Sequence, residues 1–296
     1  MNGVLLVNKP AGYTSFDVIA VLRRLCAQKK IGHTGTLDPN AVGVLVVLLG
    51  SATRAQDIIP NHDKEYLARF RLGLTTDTLD IWGEVREKTG SSVTRERLEE
   101  ALNGFRGEIS QVPPMYSAVS VNGQRLYDLA RKGVEVERKP RRATVYELEL
   151  LSFDEESQSG ELRVKCSKGT YIRTLIDDLG QTLGVGAVMT ALNRTMACGY
   201  TLDRSLTLDE FREMKKDEIE ARLLSCESMF ETYPRVTVSD AQARRFSNGG
   251  ELELKRTAIR NSSLTDGDLF RVSSGDGIFL GLGVKKGENL KIFKLF

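Results

Sequence analysis

The sequence predicts an α+β protein, mixed in strands and helices, with a small β-rich unit at its C-terminal end, and three observations lead there. Some segments alternate apolar and polar residues with period two, as YLARFRL at 66–72 does. Others repeat their apolar residues at helical spacing behind a capping residue, as 14–28 does. After residue 226 the pattern shifts to short strands separated by Gly, Asn and Asp turns.

Residues 3–8 form a short apolar strand, and KPAGYTS then turns the chain. Thr14 and Asp17 have the spacing of a capping box that opens a helix reaching about Gln28. Phe16, Val18, Ile19, Leu22, Leu25 and Cys26 supply its buried face. The polar, glycine-rich IGHTGTLDPNAVG leads into VLVVLLG, which reads as a buried strand. Residues 66–72 make another strand, 75–80 a polar loop and 94–102 a short charged helix. ATVYELELL at 143–151 and residues 162–166 are further strands, and a helix starts at Thr170. The shift near 226–234 divides the chain into domains of 1–230 and 231–296.

At 296 residues the chain is long enough to bury roughly 75% of its unfolded surface. With 41% hydrophobic and 28% charged residues it is neither disordered nor fibrous. The longest apolar run, 41–49, is short of the roughly 20 residues a bilayer needs. MNGVLLVNKP lacks the basic and apolar regions of a secretion signal, so a cytoplasmic protein is expected, away from membranes. Cys26, Cys166, Cys198 and Cys226 lie far apart and the only histidines are His33 and His62, which argues against a disulfide framework or a metal site. GxGxxG, Walker A, GxSxG and HExxH motifs are missing, and GLGVKKG at 281–287 has the wrong spacing for a nucleotide loop, so no cofactor is expected. The net charge is +2, but from Tyr233 onward 11 Lys and Arg face 7 Asp and Glu, giving that region +4.

The chemistry concentrates at 32–43, where His33, two threonines and Asp38 crowd between glycines and Pro39. Taken alone, Asp38 reads either as a turn cap before proline or as a reactive carboxylate. A candidate partner is Arg173 in KGTYIRTLI, since an arginine held against a carboxylate by paired hydrogen bonds fixes its direction. Tyr66 and Tyr171 read as half-buried sheet positions or as platforms for an unstacked base. His33 reads as a hydrogen-bonded loop residue or a functional one, and RKPRR at 138–142 as a solvated run or a phosphate-contacting face.

VLLVNKPAGYTS, GHTGTLDPNAVGVLVVLLGSATR, DKEYLARFRLGLTTDTLD, VPPMYSAVSVNGQRLYDLAR and CSKGTYIRTLIDDLGQTLGVGAVMTALNRTMACGY together resemble the TruB-type tRNA pseudouridine-55 synthases. The resemblance spans about residues 3–210. It implies a mixed, mostly antiparallel sheet with flanking helices, and a segment around 110–140 that grips RNA. It implies that Asp38 is the nucleophile and Arg173 its partner, with Tyr66 against the target base and acting as the base for the C5 proton. Tyr171 becomes an aromatic wall, Leu192 a pocket lid, and His33 the residue that enters the T-loop of the RNA. The last 64 residues resemble a PUA-like β-barrel in length and strand content. Ser120 and Gln124 stand where members commonly carry lysine.

The function so implied is isomerisation of uridine to pseudouridine in the tRNA T-stem-loop, by a monomer without cofactor. Two other readings stand beside it. One is a non-catalytic tRNA-binding or folding factor on the same scaffold. The other is a phosphoryl-transfer enzyme using Asp77 or Asp80 with magnesium, which lacks a phosphate-cradling loop.

Overall fold

The computed structural model describes every residue except Asn122, Ala258 and residues 260–263. The strand Val42–Leu49 is apolar on both faces because both faces are covered. Val44, Val46 and Leu48 enter one core, while Leu45, Val47 and Leu49 enter another beneath the helix Ser15–Leu25. This strand lies within a 10-stranded sheet among the described residues.

Along its main path that sheet runs Leu206–Thr207, Gly3–Lys9, Val42–Leu49, Ala187–Ala197, Lys64–Leu72, Ser159–Cys166, Arg141–Asp154, Gly107–Gln111. Gly3–Lys9 with Leu206–Thr207 and Val42–Leu49 with Ala187–Ala197 are parallel, and the other pairings are antiparallel. The mixed, mostly antiparallel architecture is thus borne out. A third core lies between the sheet and the helices Arg95–Leu102 and Ile172–Leu183, around Phe70, Leu98, Leu162 and Ile176.

The parallel contact of Asn193 and Arg194 with Val42 and Gly43 requires glycine. Gly43 has φ +106°, and a Cβ there would sit 2.3 Å from the Arg194 carbonyl.

Among the described residues the C-terminal unit carries a 5-stranded sheet ordered Arg235–Thr237, Leu269–Ser273, Phe279–Lys286, Asn289–Leu295, Leu252–Glu253. It also holds a helix, Asp240–Ser247, whose Ser239 and Gln242 form a capping box that strand patterning alone overlooks. No helix among the described residues is long and apolar enough to cross a membrane.

Three local expectations need correction. Phe16 is 64% exposed, because the buried stripe of its helix is Ser15, Val18, Ile19 and Leu22, and Phe16 lies a quarter-turn away under the guanidinium of Arg23. That helix stops at Leu25, since Ala27 takes φ +49°. Leu74–Thr76 is not all loop: it pairs with Val85–Lys88 in a small hairpin.

Candidate active site

Asp38 sits in the segment joining the strand Ile31–His33 to Val42–Leu49, and three buried side chains hold that segment in place. Ser15 Oγ accepts from the Leu37 amide at 2.9 Å and donates to the Leu37 carbonyl at 3.3 Å. Arg194, 1% exposed, donates to the carbonyls of Val44 at 2.7 Å, Thr36 at 3.3 Å and Gly35 at 3.1 Å. Lys9, 0% exposed, donates to the carbonyls of Pro10 at 2.8 Å, Tyr13 at 2.6 Å and Pro39 at 3.0 Å. Buried cations are tolerated here because carbonyl oxygens replace the lost water. Burial still pushes the Lys9 ammonium down to about 8, against the opposing charge of Asp38 and with the push of Arg194.

Arg173, in the first turn of Ile172–Leu183, meets Asp38 with two nitrogens, Nε to Oδ2 at 2.9 Å and Nη2 to Oδ1 at 3.2 Å. The same guanidinium donates to the carbonyls of Thr78 at 3.0 Å and Tyr116 at 2.8 Å, and Asp80 Oδ2 lies 3.9 Å away. Burial raises the Asp80 carboxyl pKa in spite of the Thr78 hydroxyl and Arg173. Every direction of the arginine is therefore fixed, and with it the orientation of Asp38.

Tyr171 immediately precedes this helix, and Gln111 grips its backbone from both sides: the Tyr171 amide donates to Oε1 at 3.0 Å, and Nε2 donates to the Tyr171 carbonyl at 3.2 Å. Tyr66 and Leu192 come from adjacent strands, with Tyr66 opposite Arg194 and Leu192 opposite Ala68. Asp38, Lys64, Tyr66, Tyr171, Arg173 and Leu192 line one cleft of about 310 Å³. Burial pushes the Tyr66 phenol up to about 12, so at neutral pH it is an uncharged hydroxyl on an aromatic wall.

His33 does not line that cleft. It is half-buried on the edge strand opposite Val47, its Nδ1 without a partner, and burial with the charge of Arg194 lowers its pKa. The basic run 138–142 is partly committed within the fold. Arg138 pairs with Glu135 at 3.0 Å and donates to the Pro113 carbonyl at 3.2 Å, and Arg142 pairs with Glu108 at 3.1 Å. Ser120 and Gln124 lie exposed on a two-stranded hairpin. Asp77 and Asp80 accept from the amides of Glu84 and Trp82, and no group of three or more His, Cys, Asp or Glu placed to hold a metal occurs among the described residues.

Lys9, Ser15, Gln111 and Arg194 escape sequence reasoning. The available signal was a charged residue at the end or middle of an apolar strand, as in VLLVNKP and ALNRTMA, which forecasts a satisfied buried cation.

An oriented carboxylate beside a hydrophobic-walled cleft suits covalent attack on one flat substrate group. The profile of the TruB family pseudouridylate synthase N-terminal domain matches residues 23–172. The chain belongs to the TruB family. Two further TruB profiles, the tRNA pseudouridylate synthase B C-terminal domain and the pseudouridine synthase II TruB C-terminal domain, match 173–231 and 234–291. A protein of Clostridium tetani named tRNA pseudouridine synthase B is 42% identical over 100% of this chain and 99% of its own. One of the same name from Clostridium perfringens is 41% identical over the same shares. In the solved "Structure of H/ACA RNP bound to a substrate RNA containing 2'-deoxyuridine", one chain superposes with TM-score 0.73 at 26% identity, covering 99% of this chain and 84% of that one. The TruB resemblance carried by the motifs is thereby established, and with it an isomerase scaffold.

Proposed function

We propose that this TruB-family chain converts uridine 55 in the T-loop of tRNA to pseudouridine, acting in the cytoplasm as a monomer and without cofactor. Residues 1–230 perform the reaction and 231–296, with a net charge of +4 from Tyr233 onward, add RNA contacts. The observation that carries the reading is the two-point contact of Arg173 with Asp38, which turns a carboxylate in an Asp-Pro turn into an oriented nucleophile. The names of the Clostridium relatives supply the substrate.

The uridine leaves the RNA stack, at a cost of a few kcal/mol that contacts elsewhere on the RNA offset, and enters between Tyr66, Tyr171 and Leu192. Asp38 attacks C1′ as the N1–C1′ bond breaks with its electron pair on the base. The detached uracil turns against the apolar wall, C5 bonds to C1′ as the Asp38–C1′ bond breaks and returns its electron pair to the carboxylate, the C5 proton leaves and N1 takes up a proton. Atoms and electrons balance without oxidant or metal. Leu192 keeps water from the exposed sugar carbon. Tyr66 enters as a neutral phenol, so it acts first as a stacking wall and receives the C5 proton only as its own is passed on. His33, adjacent to the cleft-lining Thr34, serves the RNA side, pressing into the loop as the uridine departs. The segment around 110–140 grips the RNA.

Tritium release from C5-labelled tRNA, with mapping of pseudouridine in the product, tests this. Wild-type protein releases tritium, while Asp38→Asn binds the same tRNA and releases none. Full activity in Asp38→Asn removes the nucleophile from the mechanism, and modification elsewhere in the tRNA removes the assigned position.

A further inference from the structure

The cleft adjoins a second space. Beyond Lys168, which lines both spaces, a groove of about 480 Å³ opens between the main sheet and the C-terminal unit. Its walls show exposed aromatic surface: Tyr146 is 49% and Phe293 44% exposed, and Tyr233 also lines the groove. Lys64 Nζ donates to the His62 carbonyl at 2.8 Å, and its other two donors have no acceptor among the described residues. Lys64 and Lys168 both line the cleft and Lys168 also lines the groove, so two cationic side chains stand on the cleft where it adjoins the groove. Inside the groove the charge reverses. Asp57 and Asp63 line it, and Tyr146 donates its hydroxyl to Asp63 Oδ1 at 3.2 Å, with no donor to Oδ2 among the described residues.

This arrangement separates two kinds of contact. Ammonium groups at the junction attract a phosphate, and carboxylates within repel one. Exposed aromatic rings attract the face of an unstacked base, and a carboxylate accepts from the exocyclic amine of cytosine or guanine. Resting on the tRNA reading above, we propose that the groove is a second base-binding subsite. The phosphate next to the flipped uridine sits at Lys64 and Lys168. The neighbouring base, bearing an amine, lies against Tyr146 and Phe293 with its edge toward Asp63.

The test uses a T-stem-loop RNA and two copies of it that are abasic at one or the other neighbour of the target uridine. Tyr146→Ala and Phe293→Ala each raise KM on the intact RNA about tenfold, within the range of one base–aromatic stack, and leave kcat near wild type. On the RNA abasic at the occupying neighbour, wild type loses the same factor and the variants lose nothing further. Tyr146→Phe, which keeps the ring and removes only the hydroxyl, retains most of the affinity. Variants weakened equally on all three RNAs, or on none, overturn the subsite while leaving the reaction in place. Wild-type protein that forms no pseudouridine in any of them overturns the tRNA reading and the subsite together.

Discussion

Ser15 and Leu37 exchange two hydrogen bonds, so the first turn of the helix Ser15–Leu25 is tied to the residue immediately before Asp38. The hydroxyl is buried and satisfies both backbone groups of Leu37, which removes a rotational freedom from the reactive carboxylate. Ser15→Ala leaves both groups unpaired at a cost of about 1–3 kcal/mol in stability. Its kcat falls, about tenfold, more than its tRNA affinity. Urea unfolding and single-turnover assays check this, and an unchanged kcat rules out the orienting role.

Arg173→Lys retains the charge and loses the fork. One ammonium cannot reach both oxygens of Asp38 and also the carbonyls of Thr78 and Tyr116. We expect kcat to fall by roughly a hundredfold or more, with tRNA affinity within a few-fold of wild type. Comparable kcat in the lysine variant shows that charge alone suffices.

Lys9 gives a pH signature. Its folded pKa is about 8, below the ordinary 10.5, so the folded chain holds fewer protons on it than the unfolded chain between those values. Stability contributed by this group therefore rises as pH climbs from about 8 to 10.5, and the burial cost is full below 8. Lys9→Met strands the carbonyls of Pro10, Tyr13 and Pro39. The variant is less stable throughout, and the gap to wild type widens above pH 8. Urea midpoints at pH 7, 8.5 and 9.5 decide it; a narrowing gap contradicts the sign.

Asp178 behaves in the opposite sense. Burial, with the charge of Asp177, pushes its carboxyl up to about 6. The folded chain then holds more protons than the unfolded chain between 3.8 and 6, and stability falls as pH rises through that window. Asp178→Asn removes the cost, so we expect about 1–2 kcal/mol of added stability at pH 7.5, after allowance for partial exposure, and little change at pH 4. Thermal unfolding at both values measures it.

Several elements were legible because local physics alone decides them. Thr14 and Asp17 form their capping box within one turn of chain, and the spacing predicts it. Val42–Leu49 is apolar at every position except Gly43, which only a strand covered on both faces tolerates. Ala187–Ala197 was harder to see, since Asn193 and Arg194 interrupt its apolar run, and the Arg194 guanidinium finds its acceptors on Val44 and the Asp38 segment, far away in sequence. Phe16 was misplaced because an aromatic next to a cap fits either face, and the neighbouring strands decide which face is covered.

The site divides in the same way. The sequence by itself determined which residue types were present: a carboxylate in GHTGTLDP, an arginine in KGTYIR, and the tyrosines Tyr66 and Tyr171, in an order that marks the TruB family. Only the tertiary structure decided that Arg173 closes on Asp38 across 135 residues of chain, that Lys9, Ser15 and Arg194 clamp the intervening backbone, and that His33 stands outside the cleft. The reason is physical. Capping, strand alternation and turn formation act over a few residues and leave their period in the sequence. A buried cation chooses among carbonyls brought together by the whole sheet, and no local pattern records that choice.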